Sequence, residues 1–134
     1  MANVKDIEGI GPVLGEKLVA AGVATLDSLL ETAASAKGRT DLAGKTGISE
    51  SKILEWVNRA DLARIKGIGS EYADLLEAAG VDTVVELAQR NSANLYTKVV
   101  EVNSTKNLVR ALPTEQAISD WIDQAKSLDR VVTH

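Results

Sequence analysis

Apolar residues recur along the chain at helical spacing, and helix punctuation separates the runs. Asn3 can cap a short first helix that stops at Gly9. Pro12 stands where a first-turn proline is favoured, and the helix it opens runs to Gly22, a residue suited to the position just past a helix end. Thr25 caps the next helix, through about Ala34; its counterpart Thr83 has Glu86 three residues on, the spacing of a capping box. Ser49 opens a helix from Glu50 to Ala60, with Ile53, Leu54, Trp56 and Val57 on one apolar face. Ser70, Ser92 and Thr114 are further cap candidates, and Pro113 ends whatever Asn107–Leu112 forms. A strand competes only at the β-branched stretch Val99-Val100-Glu101-Val102; Leu95, Val99 and Val102 lie at helical spacing and favour helix.

The pattern also repeats. Ile7-Glu8-Gly9-Ile10-Gly11 recurs as Ile65-Lys66-Gly67-Ile68-Gly69, an offset of 58. Leu18, Ala20, Ala21, Gly22, Val23, Thr25 and Leu29 return as Leu76, Ala78, Ala79, Gly80, Val81, Thr83 and Leu87, which makes 11 identities over the 24 positions 7–30. Farther on the offset is 65: Ser49-Glu50 match Thr114-Glu115, Ile53 matches Ile118, Trp56 matches Trp121 and Ala60 matches Ala125. The second copy therefore carries seven extra residues within 89–112. A duplicated helical unit accounts for this, with copies at 1–60 and 61–130 and a tail at 131–134. No Pro- or Gly-rich linker parts them, and residues 58–64 can run helically across the join, so one compact multi-helix bundle of roughly eight to ten helices is expected.

Composition narrows the chemistry. The 134 residues include no Cys and no Phe, two Trp, two Tyr and one His, which is the last residue. The core must then be aliphatic, with Trp56 and Trp121 as its large anchors. A thiol nucleophile, a disulfide scaffold, a Cys-bound zinc and a Ser-His-Asp triad are all excluded. Paired carboxylates such as Asp120 and Asp123 fall on regularly polar helix faces and mark no acid/base pair. The expectation is a non-catalytic protein without a cofactor or small-molecule substrate. No apolar run approaches membrane-spanning length and no signal peptide is visible, so a cytoplasmic protein is expected.

Two near-misses can be set aside. Gly44-Lys45-Thr46 resembles the end of a phosphate-binding loop, but that pattern needs a glycine where Arg39 stands. Lys37, Arg39, Lys45 and Lys52 are interleaved with Asp41, Glu50 and Glu55 and read as a solvated surface.

The Gly-Ile-Gly turns carry the candidate chemistry. Each lies between a short helix and a longer one. Glycine permits the tight turn, the isoleucine pins it to the core, and the helix that follows opens with unpaired N–H groups at the positive end of its dipole. Such an end can hold a phosphate.

Ile7-Glu8-Gly9-Ile10-Gly11-Pro12-Val13-Leu14-Gly15-Glu16-Lys17-Leu18 and Ile65-Lys66-Gly67-Ile68-Gly69-Ser70-Glu71-Tyr72-Ala73-Asp74-Leu75-Leu76 both resemble the helix-hairpin-helix motif. The chain as a whole is similar to a bacterial family of unknown function with this duplicated layout. The resemblance implies a SAM-like, helix-hairpin-helix bundle that binds DNA without sequence specificity, hairpin amides contacting phosphate oxygens. It also implies that hairpin carbonyls can hold a monovalent cation. Carried onto this chain, the positions are Gly9, Ile10, Gly11 and Val13, and Gly67, Ile68, Gly69 and Glu71. Lys17, Arg64 and Lys66 are the nearby cations.

The charge pattern works against strong binding. DNA-binding copies place Lys or Arg just past the second glycine, whereas this chain has Pro12-Val13-Leu14 and Ser70-Glu71-Tyr72. There are 15 Lys+Arg against 19 Asp+Glu, a net charge of −4, split as −2 for residues 1–63 and −2 for 64–134. Phosphate neutralisation scales with the cations at the interface, so weak, salt-sensitive binding led by the second hairpin is expected. The alternative is a protein-interaction or scaffold domain that has kept the hairpins and lost DNA affinity.

Overall fold

The helix punctuation of the chain becomes eight α-helices in the computed structural model, which describes residues 3–7 and 10–133, the Asp6 side chain excepted. A 3-10 turn at Val4–Asp6 precedes α1 (Gly11–Ala20), α2 (Leu26–Ala33), α3 (Ala36–Thr46) and α4 (Glu50–Leu62). Then follow α5 (Ser70–Ala78), α6 (Val84–Ala88), α7 (Ser92–Lys106) and α8 (Glu115–Ser127). The described residues form no strand, only an isolated antiparallel bridge between Asn3 and Thr25. The β-branched stretch 99–102 lies inside α7, as its spacing predicts.

Capping explains most helix starts. The side chains of Thr25, Ser35, Thr83, Asn91 and Thr114 each accept a backbone N–H of the helix they precede. Ser49 does the same for α4, taking the Lys52 N–H at 3.3 Å. Two expected caps are corrected. Ser70 is the first residue of α5, and the cap position belongs to extended Gly69. Ser92 likewise falls inside α7, because Asn91 reaches the Asn94 N–H at 3.1 Å.

The chain divides into two compact units, Met1–Asp61 with Val131–His134, and Leu62–Arg130. Each has its own aliphatic core. In the first, Leu18, Val23, Leu29, Ile53, Trp56 and Ala60 are buried; in the second, their counterparts Leu76, Val81, Leu87, Ile118, Trp121 and Ala125 are buried. Each large aliphatic side chain removed from water contributes about 1.5–3 kcal/mol. Hydrogen bonds recur at the same offset: Val23 N–H to Leu18 O and Val81 N–H to Leu76 O are both 2.8 Å.

The extra residues of the second copy are now located. Offset 58 falls to 56 at the caps Ser35 and Asn91, because α6 is shorter than α2. It rises to 60 at the left-handed C-caps Gly47 and Asn107, because α7 is longer than α3. It reaches 65 at Ser49 and Thr114, the rest being the segment before Pro113. Asn103 holds that segment in place: its amide accepts the Val109 N–H at 3.0 Å and donates to the Val109 carbonyl at 3.2 Å.

The residues expected as a tail rejoin the first unit. Val132 is buried in its core, and the Thr133 N–H donates to Ala34 O at 2.9 Å. Arg39, expected on a solvated surface, is 5% exposed. Its guanidinium donates to the carbonyls of Ala33 (3.1 Å), Ala34 (2.8 Å) and Thr133 (2.6 Å). Three buried or half-buried carbonyls take up a charge that a surface would have left to water.

Candidate functional site

The second Gly-Ile-Gly turn follows the end of α4 at Leu62, short of the Arg64 that sequence allowed the helix to reach. Ile65 N–H donates to Leu62 O at 3.0 Å, and Ile68 N–H to Ile65 O at 3.2 Å. Both isoleucines are buried in the second core and pin the turn from beneath. Lys66, Gly67, Gly69, Ser70 and Glu71 are exposed. Gly67 has φ +102°, a backbone that L side chains rarely adopt, and a Cβ there would lie 2.9 Å from Trp121 Nε1. Gly69 is extended and opens α5 with no side-chain cap.

α8 supports this turn from the side. Gln124 Oε1 accepts the Lys66 N–H at 2.8 Å, and Gln124 Nε2 donates to the Lys66 carbonyl at 3.1 Å. The Trp121 ring lies 5.3 Å from the Tyr72 ring, tilted by 49°. The Tyr72 hydroxyl donates to Ala111 O at 3.1 Å. These roles of Gln124 and Trp121 were invisible to sequence reasoning. The only available signal was a polar Gln one helical turn past a repeated Trp.

The first turn is built alike at its ends. Ile7 N–H donates to Val4 O at 3.1 Å, Ile10 N–H to Ile7 O at 3.3 Å, and both side chains are buried. Gly9 lies outside the described residues, as does Glu8. The copies differ in which residue opens the helix. α1 starts at Gly11 with φ +64°, whereas its counterpart Gly69 precedes α5 at φ −98°. Ile10 offers α1 no side-chain cap. Pro12 has no N–H to give, so this end presents one donor fewer than α5.

The nominated side chains are only partly assembled. Lys66 is exposed within the second turn. The Arg64 guanidinium is engaged with the Asp129 carbonyl at 3.0 Å. Lys17 is in the last turn of α1, about 9 Å along the axis from Gly11 by helical rise. Val13, two residues past Gly11, is 69% exposed and apolar. Glu71 occupies the first turn of α5, where a carboxylate favours the helix dipole and competes with an incoming anion.

The Ile65 carbonyl accepts the Ile68 N–H, and the Lys66 carbonyl accepts the Gln124 amide. Among the described residues, no group of three His, Cys, Asp or Glu could hold a metal ion, and no helix is long and apolar enough to cross a membrane.

No curated protein and no solved structure matches the chain significantly. One family does, over residues 8–128, which takes in both Gly-Ile-Gly turns except the first residue of the repeated stretch. The chain belongs to that family, described as a domain of unknown function, DUF4332.

Proposed function

We propose that this chain is a non-catalytic, helix-hairpin-helix binding module that contacts nucleic-acid backbone phosphates weakly and without sequence specificity. The observation that carries the reading is the distribution of caps. Six helices start with a Ser, Thr or Asn side chain on a backbone N–H. α1 and α5, which follow the Gly-Ile-Gly turns, have no such cap. Their first N–H groups keep their capacity for an external acceptor, and the helix dipole favours an anion there. α5 is the better end: Lys66 adds a cation, and no proline removes a donor. A cytoplasmic setting is part of this reading, as is the absence of catalysis.

With roughly one or two cations engaged, affinity falls only about 3- to 12-fold between 50 and 200 mM salt. The test is titration of the full chain with duplex, single-stranded and branched DNA near about 50 mM salt. Binding that weakens in Lys66→Ala supports the reading. Absence of binding to every form overturns it, and binding indifferent to Lys66→Ala moves the site off the second turn.

The exposed Val13 favours a second reading, a protein-interaction or scaffold domain. An apolar side chain at that position suits a protein surface better than a phosphate. The titration separates the two.

A further inference from the structure

We infer that Gln124 is a positioning residue that fixes the second Gly-Ile-Gly turn in its binding conformation. The inference rests on the proposed binding role of that turn and names the residue that orders it. One carboxamide satisfies both backbone polar groups of Lys66, the N–H at 2.8 Å and the carbonyl at 3.1 Å. The pairing acts as a strand neighbour would, but is delivered from a helix 58 positions away. It acts on the residue between the buried anchor Ile65 and Gly67, whose φ of +102° would otherwise be one of many states open to glycine. Trp121, one helical turn earlier on α8, fills the space beside Gly67. Gly67 is thus held from two points of one helix.

The offset of 65 places Arg59 where Gln124 stands, and a guanidinium has no acceptor for an N–H. Arg59 pairs with Glu55 on its own helix, at 3.6 Å. Ordering a flexible turn costs binding free energy, so a turn already held binds more tightly than the same residues unheld. Because Gln124 is uncharged, its contribution is separable from that of any cation.

The experiment compares full-length wild type with Gln124→Met, which keeps length and helix propensity, and Gln124→Glu, which keeps an acceptor and loses the donor. Amide hydrogen exchange and DNA titrations across salt are recorded for each. In Gln124→Met the Lys66 amide should exchange about tenfold faster while Trp121 and Ile122 amides stay protected. DNA affinity should fall about three- to tenfold with the salt slope unchanged. Gln124→Glu should retain most of the Lys66 protection. Lys66→Gln, by contrast, should reduce the salt slope by about one unit. Unchanged Lys66 exchange in Gln124→Met overturns the inference, and so does faster exchange with unaltered affinity. If wild type binds no DNA, the binding role fails and exchange at Lys66 alone decides whether Gln124 holds the turn.

Discussion

Arg39 donates to the carbonyl oxygen of Thr133 at 2.6 Å, across 94 positions of chain. The same guanidinium holds the Ala33 and Ala34 carbonyls beside the start of α3. One buried cation thus joins the α2–α3 corner to the last described residue of the chain.

Arg39→Ala should lower stability by about 2–3 kcal/mol, because it removes charged donors and strands buried carbonyls. Deleting residues 131–134 should act in the same direction, since it removes Thr133 and the buried Val132 together. Urea denaturation checks both. If combining the two changes costs as much as their separate effects added, Arg39 and Thr133 are not coupled.

The two glycines of the second turn should respond differently to alanine. Gly67→Ala forces φ +102° on an L residue and drives a methyl toward Trp121, so a loss of about 2–3 kcal/mol is expected. Gly69 has φ −98° and nothing within 4 Å of a Cβ, so Gly69→Ala should change stability by less than about 0.5 kcal/mol. Thermal unfolding of the pair is sufficient, and equal losses would contradict the turn geometry described above.

At the start of α7, Asn91→Ala should cost about 1 kcal/mol through the lost bond to the Asn94 N–H. Ser92→Ala should be neutral or slightly stabilising, since alanine is the better helix former inside the first turn. The opposite ranking in chemical denaturation would restore Ser92 as the cap.

Trp121 reports on the second turn directly. Its indole packs beside Gly67 and Tyr72, so Tyr72→Ala should shift and broaden Trp121 emission when Trp56 is replaced by Phe to remove the second fluorophore. Loss of the ring pair is worth about 0.5–1.5 kcal/mol beyond burial, measurable in the same samples. An emission spectrum indifferent to Tyr72 would place the ring contact elsewhere.

Much of the molecule was legible before folding. Thr25, Ser49, Thr83 and Thr114 are caps because a short polar side chain before an apolar-periodic run has a nearby N–H to accept. Ile10 and Ile68 are buried anchors because an isoleucine between two glycines, in a polar turn, has only the core to enter. The candidate site was legible as a turn and less so as an assembly. Lys17 and Arg64 are near the glycines in sequence, yet one lies along a helix axis and the other reaches the Asp129 carbonyl.

The sequence alone determined the helices, their duplication and an aliphatic core without Cys or Phe, because these depend on residue type and on neighbours within a few positions. Tertiary structure decided that Gly67 and Gly11, but not Gly69, take positive φ, and that Arg39 and Gln124 serve distant backbone groups. The physical reason is the nature of those partners. A carbonyl or an N–H is the same on almost every residue, so a side chain that binds one carries no sign in the sequence of which it will meet.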